Sequence, residues 1–238
     1  MQNKNGSIEQ KPFFNTKGFT KINGRKQFGP YESNSGTTLA ISTPEFNIFA
    51  SDIRNSSSFT IHSRNCSKIF KLKNSITFSA TGFFGDIYRV FEILKHKQEL
   101  FYQQFEKEML VSELAHFLMN VLYSKRFFPF YGFIVLGGIE NGECAMYSYD
   151  PVGSYQKDTA RCYGTGMKIV QPILDSKIYR KNNLKKEEEF KEEEIIAIVK
   201  KAFESVSERD VKTGDGVEIV IIRKDGSTDS NIIKLRRD

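Results

Sequence analysis

The order in which predicted strands and helices follow one another is the feature that most constrains the fold of this chain. From residue 37 onward, β-prone runs come first, followed by two amphipathic helices, a strand pair, two more helices and two final strands. Apolar residues at helical spacing mark the helices, and apolar runs bounded by turn residues mark the strands. Because strands and helices come in blocks and not in strict βαβ alternation, we expect antiparallel sheets covered by helices on their outer sides.

The individual elements follow from the same patterns. The first helix is predicted from the apolar residues between Ile87 and Phe101, and the second follows Ser112, which is a candidate N-cap. The third is predicted over 167–177, with an irregularity at Pro172 because proline removes a backbone donor. The fourth follows the charge run at 185–194. Strands are predicted at 38–43, 46–51, 68–72, 76–80, 130–139, 144–149, 217–223 and 232–235.

The chain divides into a leader and one domain. Residues 1–35 are rich in Gly, Asn, Lys and Ser and have no helical or alternating apolar period, which predicts a flexible leader or extended arm. Residues 36–238 are enough for one domain with one sizeable core, at 39% hydrophobic residues for the whole chain. No apolar run approaches the length of a transmembrane helix or a signal peptide, so we expect no membrane partner.

The distribution of charge argues against a nucleic-acid partner. The net charge is +6, but residues 1–35 hold six basic and two acidic residues. That segment therefore carries +4 and leaves +2 for residues 36–238. A basic leader on a nearly neutral body is not typical of a nucleic-acid-binding domain, although the leader could contact an acidic protein surface.

The cysteines and histidines give no indication of a metal or cofactor. The three cysteines are odd in number and far apart, and neither they nor the three histidines have the spacing of a metal site. We therefore expect free thiols in a reducing compartment, no metal and no cofactor. The cysteines are Cys66, Cys144 and Cys162.

Three polar clusters stand at strand ends or turns and are the candidate functional residues. The first combines 36–40 with 50–54, the second is Lys68 before an apolar strand, and the third is 208–216. These segments resemble the proteasome β subunits of the N-terminal-nucleophile hydrolase family. In active members, autolysis after a glycine exposes an N-terminal threonine whose hydroxyl attacks the peptide carbonyl, with its own amine as base. An aspartate, a lysine, a Ser/Thr-Gly segment and a late Asp-x-x-Ser/Thr support this threonine.

The resemblance sets a register for each position. In the family the aspartate stands sixteen residues after the nucleophile and thirteen after a leucine, and here Leu39 and Asp52 are thirteen apart. Counting back sixteen from Asp52 gives Gly36, so a glycine occupies the nucleophile position. The supporting positions are filled, with Thr where Ser is usual at two of them. They are Asp52, Lys68, Thr165, Asp210 and Thr213.

Two alternatives accompany this assignment. Cleavage between Gly36 and Thr37 would make an active threonine peptidase with a terminal Thr37. That residue is one position out of register, and a one-residue shift on a strand turns the side chain to the other face, away from Lys68. The second alternative concerns Asp52, Lys68 and Asp210, which form a structural ion-pair network as readily as a catalytic one. Without a nucleophile we favour the structural interpretation.

The resemblance implies an α+β fold: a four-layer αββα sandwich of two antiparallel sheets flanked by helices. It further implies a non-catalytic β subunit of the 20S core, which contacts other β subunits within its ring and across the β–β ring interface, and α-ring subunits. The implied setting is ubiquitin-linked protein degradation in cytoplasm and nucleus. A homo-oligomer of the same fold acting outside a proteasome is the rival class. The acidic run Glu187–Glu194 is interpreted as a solvated helix start, or as a contact with a neighbouring subunit.

Overall fold

A computed structural model describes residues 19–22, 25–28, 31–34, 36–58, 60–179 and 190–235. The chain forms two compact units, residues 1–31 and 32–238. In the smaller unit, strands β1 (Phe19–Ile22) and β2 (Arg25–Phe28) pair in antiparallel fashion. The leader predicted over 1–35 thus contains a hairpin that the sequence analysis did not predict. The rest of that leader before Tyr31, and residues 187–189 of the acidic run, lie outside the described residues.

The larger unit contains the other twelve described strands and four helices, all within the described ranges. The strands are β3 (Thr37–Ser42), β4 (Phe46–Asp52), β5 (Asn55–Ser57), β6 (Thr60–Ser63), β7 (Ile69–Lys71), β8 (Thr77–Gly82), β9 (Gly132–Glu140), β10 (Glu143–Tyr149), β11 (Tyr155–Lys157), β12 (Ala160–Gly164), β13 (Gly216–Arg223) and β14 (Thr228–Lys234). The helices are α1 (Phe84–Phe105), α2 (Val111–Ser124), α3 (Met167–Leu174) and α4 (Glu192–Ser207).

Two five-stranded antiparallel sheets form the centre of this unit. The first has the strand order β12-β3-β4-β13-β14, and the second has the order β11-β10-β9-β8-β7. A separate two-stranded sheet is formed by β5 and β6. In the first sheet Thr38 is paired with Ser51, and Gly164 is paired with Thr37, so the start of β3 lies between the ends of two neighbouring strands.

Three apolar clusters define the layers. Alternate residues of a strand point to opposite faces, so each sheet has one face for helices and one for the other sheet. In the first sheet Leu39 and Ile41 pack against Val199 and Phe203 of α4. In the second sheet Phe78 and its neighbours pack against α1 and α2. Between the sheets lie Ala40, Phe49, Ile69, Val135, Met146, Val220 and Ile222. The predicted αββα sandwich is confirmed.

Two local details differ from or refine the prediction. Ser112 is not the N-cap of α2, so that prediction is wrong: the helix begins at Val111, and the hydroxyl of Ser112 bonds to Glu140 on β9. The free N–H of Leu110 donates instead to the carboxylate of Glu113, 2.9 Å away. Pro172 lies inside α3, which is α-helical over Met167–Leu174, so the irregularity predicted at that residue is wrong; a π-helical turn follows the helix over Asp175–Tyr179.

The structure also bears on membrane and metal chemistry. Among the described helices, none has both the length and the apolar character needed to cross a membrane. No three His, Cys, Asp or Glu residues of the described ranges come together as a possible metal site. The three cysteines are free thiols, of which Cys144 and Cys162 are buried.

Candidate functional site

Gly36 lies at the entrance of β3 and faces the interior of the site. Its φ is +99°, a conformation that residues with a β-carbon rarely adopt. A β-carbon added to Gly36 would lie 2.6 Å from Oδ1 of Asp52 and 2.7 Å from Cε of Lys68. Any side chain at position 36 would therefore point directly at this acid–lysine pair, which is where the resemblance implies a nucleophile.

Lys68 and Asp52 form a buried ion pair beside Gly36. Asp52 ends β4, and Lys68 precedes β7, so the two strands bring the side chains together. Nζ of Lys68 donates to Oδ1 of Asp52 at 3.0 Å and to the backbone carbonyls of Asp52 and Arg54, each at 2.7 Å. All three donors of the ammonium group are thus used. The side chains are only 5% and 0% exposed, so neither charge is solvated by bulk water.

Opposing effects act on the carboxyl group of Asp52. Burial raises its pKa, while the charge of Lys68 and the hydrogen bonds that the carboxylate accepts lower it; burial is the larger effect. The N–H of Thr37 donates to Oδ1 at 2.7 Å, and the N–H of Arg54 donates to Oδ2 at 3.2 Å. Charge pairing and backbone donors therefore offset only part of the cost of burying this group.

The hydroxyl of Thr37 is engaged in a separate chain of hydrogen bonds. It accepts from the N–H of Gly166 at 2.9 Å and lies 2.7 Å from the hydroxyl of Thr213. Thr213 donates its own proton to Oδ2 of Asp210 at 2.7 Å. Since a hydroxyl has one proton, Thr37 is the donor to Thr213. Its proton therefore points along a chain that ends on the Asp210 carboxylate.

Thr165 connects this chain to Gly36. Its hydroxyl donates to the same Asp210 oxygen, and its N–H donates to the carbonyl of Gly36 at 3.0 Å. The turn after β12, the start of β3 and the loop after α4 thus meet at one point. The structure brings all six sequence-assigned positions into one cluster, with Gly36, Asp52 and Lys68 in one part and Thr165, Asp210 and Thr213 in the other.

Three further residues support the cluster and were not assigned individually from the sequence. Nε of Arg54 donates to Asp215 at 2.8 Å, and its NH1 donates to the carbonyl of Val211 at 2.7 Å. Arg64 pairs with the other oxygen of Asp215. Burial raises the pKa of Asp215, but the hydrogen bonds from the two arginines outweigh it and hold the pKa below its usual range. This network fixes the loop that carries Asp210. Arg54 and Asp215 both belong to the polar clusters 50–54 and 208–216, and that membership was the sequence signal that could have identified them.

An open, mainly apolar cavity of about 340 Å³ lies beside Gly36. Its lining includes Gly82 at the end of β8 and the rings of Phe133 and Tyr163, whose centroids are 5.4 Å apart. Ser33 and Gly36, which precede β3, also line the cavity. The N–H of Asn34 donates to the carbonyl of Gly82 at 2.9 Å, and Phe84 donates its N–H to the Asn34 side chain at 2.7 Å. Asn34 is therefore bonded both to the end of β8 and to the start of α1.

This fold and site define the class of the protein. Two stacked antiparallel sheets between helix layers, with a lysine–aspartate pair at the start of one central strand, agree with a family-level match to the proteasome subunit family over residues 32–222. The chain belongs to the proteasome subunit family.

Several named relatives place it among the β-type subunits of the 20S core. A probable proteasome subunit beta type-6 of Encephalitozoon cuniculi is 41% identical over 222 residues, covering 93% of this chain and 75% of the relative. Proteasome subunit beta type-1 of Danio rerio is 38% identical, covering 89% and 90%. Proteasome subunit beta type-6 of Saccharomyces cerevisiae is 34% identical, covering 89% and 92%. Subunits of this kind belong to a threonine protease complex.

Local sequence motifs agree with these relatives. The segments 124–131 and 147–156, together with 208–215, resemble the subunit named beta type-6, or beta type-1 in mammalian naming. The segment 124–131 begins at the last residue of α2, and 147–156 runs from β10 into β11. The sequence therefore predicted the subunit type as well as the family, and the comparisons confirm both.

Proposed function

We propose that this chain is a non-catalytic β subunit of the 20S core, which builds the β ring but does not itself cleave peptide bonds. The observation that carries the proposal is the identity of position 36. The side chain at that position would face Asp52 and Lys68 at under 3 Å, and the residue there is glycine. Covalent catalysis requires a nucleophilic side chain within reach of its activating groups, and glycine supplies none.

The hydrogen bonds that Thr37 makes support the same conclusion. Thr37 is the alternative nucleophile, but its hydroxyl proton points to Thr213 and not to Lys68. Its backbone N–H is bonded to the carboxylate of Asp52. A new amino terminus at Thr37 would have to break the Gly36 contacts with Thr165 and rearrange this cluster before its hydroxyl could attack.

The surviving polar groups then have a structural role. The buried Lys68–Asp52 pair joins the ends of β4 and β7, and the Thr37–Thr213–Asp210 chain joins β3 to the loop after α4. In the assembled particle the subunit contacts β subunits in its own ring, the opposite β ring and the α ring, and it forms part of the chamber wall. Its setting is ubiquitin-linked protein degradation in cytoplasm and nucleus.

Covalent labelling of the purified core particle tests the proposal. The particle is treated with a peptide bearing an electrophilic carbonyl-trapping group, and each chain is weighed by mass spectrometry. We expect an adduct on active β chains of the same particle, which serve as the internal control, and none on this chain. An adduct on this chain at Thr37 would contradict the proposal. A ring made of this chain alone would favour a homo-oligomer outside the proteasome.

A further inference from the structure

A cluster of exposed aromatic side chains follows the end of α2. Phe127 is 91% exposed, Phe128 is 61% exposed and Tyr123 is 54% exposed. Large aromatic residues are seldom so accessible, and when several lie together they commonly mark a site of protein–protein contact. We call Tyr123, Arg126, Phe127 and Phe128 the aromatic knob.

Arg126 orders the knob. Its guanidinium lies 5.4 Å from the ring centre of Tyr123 and 4.8 Å from that of Phe127. Its NH1 also donates to the hydroxyl of Tyr123 at 2.8 Å. These contacts favour one arrangement of the three side chains before any partner arrives, which reduces the conformational entropy lost on binding. Aromatic residues and arginine are also the types that most often dominate binding energy at interfaces.

The knob also carries positive charge. Elsewhere in the chain, Lys73 lies over the ring of Tyr102 and pairs with Glu99, and Lys107 lies over Phe101 and pairs with Glu113. Those two cations have carboxylate partners within the chain. Among the ion pairs of the described residues, by contrast, none includes Arg126 or its neighbour Lys125. The knob therefore presents uncompensated positive charge beside apolar rings.

We propose that the aromatic knob inserts into an apolar socket rimmed by carboxylates on a different, adjoining subunit of the core particle, an inference that rests on the proposed function. Phe127 fills the socket, and Arg126 pairs with a carboxylate at its edge. Burial of the rings removes apolar surface from water, and the carboxylate supplies the counter-charge that the described chain lacks. The knob thus specifies which neighbour this subunit joins.

Photo-cross-linking in the assembled particle tests the identity of the occupant. Phe127 of the full chain is replaced by a benzophenone-bearing phenylalanine, the core particle is purified and irradiated, and the cross-linked peptide is sequenced. We expect a cross-link to one adjoining subunit at a segment containing Asp or Glu. The absence of any cross-link to another subunit, or a cross-link to a second copy of this chain, would overturn the proposal.

The fraction of each variant chain that enters the particle measures how strongly the aromatic knob contributes to assembly. We expect Phe127→Ala and Arg126→Glu each to lower the fraction of the chain that enters the particle about tenfold or more, the size of a hot-spot truncation. The control is Phe105→Ala, since Phe105 is 52% exposed but stands before α2, whose 14 residues span about 20 Å. Wild-type incorporation of both knob variants would overturn the inference alone. Failure of the unmodified chain to co-purify with other subunits would instead refute the proposed function.

Discussion

The ammonium nitrogen of Lys68 lies 3.0 Å from Oδ1 of Asp52, and both side chains are almost fully removed from water. Gly36 stands directly beside this pair, and a β-carbon added there would lie within 3 Å of both side chains. A buried ion pair is costly to form and more costly to break. We therefore expect substitutions of Lys68 or Asp52 to lower the stability of the fold.

Breaking this pair should therefore be strongly destabilising. Lys68→Met leaves the Asp52 carboxylate buried without its partner, and we expect the free energy of unfolding to fall by about 3–5 kcal/mol. The matched control is Lys73→Met, which breaks the exposed ion pair with Glu99 and should cost about 0–1 kcal/mol. Urea denaturation followed by circular dichroism measures both. Equal losses for the two variants would contradict a buried, structural Lys68.

A side chain at position 36 should not be tolerated without rearrangement. In Gly36→Ala the new β-carbon would meet Asp52 and Lys68 at under 3 Å, and its φ would have to remain near +99°. The backbone strain alone costs about 1–3 kcal/mol. Gly142→Ala is the matched control, because Gly142 also has a positive φ but nothing lies within 4 Å of its added β-carbon. Urea denaturation measures the free energy of unfolding of both variants. We expect Gly36→Ala to lose more than Gly142→Ala, and the difference is the cost of the clash. Equal losses would show that position 36 does not face the pair.

Acid should weaken the fold through Asp215. Hydrogen bonds from Arg54 and Arg64 hold its pKa below the ordinary value of 3.8. The folded state therefore binds a proton less readily than the unfolded state, and the stability that this provides is present above pH 3.8 and lost as the pH falls through the lowered value. Asp215→Asn should flatten this part of the stability profile. If the stability of the variant falls in acid as steeply as that of the wild type, the assignment is contradicted.

Asp52 should show the opposite dependence. Burial raises its pKa above 3.8, so the folded state keeps the proton that the unfolded state has already released. Its contribution to stability is largest below pH 3.8 and declines as the pH rises through the raised value. Comparing Asp52→Asn with wild type across this range by denaturation checks the sign. A wild-type profile that rises more steeply than that of the variant would contradict it.

The thiols should differ in their reaction with alkylating reagents. Burial raises the pKa of Cys144 to about 11, and it also raises the pKa of Cys162. At pH 8 only about one Cys144 side chain in a thousand is thiolate, the reactive form. We expect Cys66, which is partly exposed, to be alkylated first under native conditions. Peptide mapping after brief treatment checks this order, and faster alkylation of Cys144 would contradict it.

The sequence predicted the layered fold because its apolar periodicity is strong in the long elements. The buried stripes of α1, α2 and α4 and the runs of β4, β9 and β13 fall where expected within a few residues. The short strands β5, β6, β11 and β12 were not predicted, since they carry few apolar residues or lie among polar ones. The pairing of β12 with β3 depends on contacts distant in sequence, which local patterns do not encode.

The leader hairpin is different, because a local signal for it was available. Asn23 and Gly24 stand between the two strands in the sequence, and Asn-Gly between β-prone runs is a strong indication of a hairpin. The lack of alternating apolar residues around that pair concealed it.

At the site, the spacing of Leu39 and Asp52 was enough to assign Gly36 through the family resemblance. The direction in which a side chain at position 36 would point could be determined only from the structure. The proton chain from Thr37 through Thr213 to Asp210 brings together three loops, and the pairing of Arg54 with Asp215 spans 161 residues of sequence. Such contacts depend on how the loops are fixed relative to the sheet, which neither residue type nor spacing predicts.

The most direct test of the central claim is the amino terminus of this chain in the assembled particle. Intact mass and N-terminal sequencing of the chain from the purified core, with the masses of its companions, would determine it. We predict a terminus upstream of Gly36 in a particle that also contains α and other β chains. A terminus at Thr37 would contradict the account, because it would free the amine and hydroxyl that an active threonine peptidase requires.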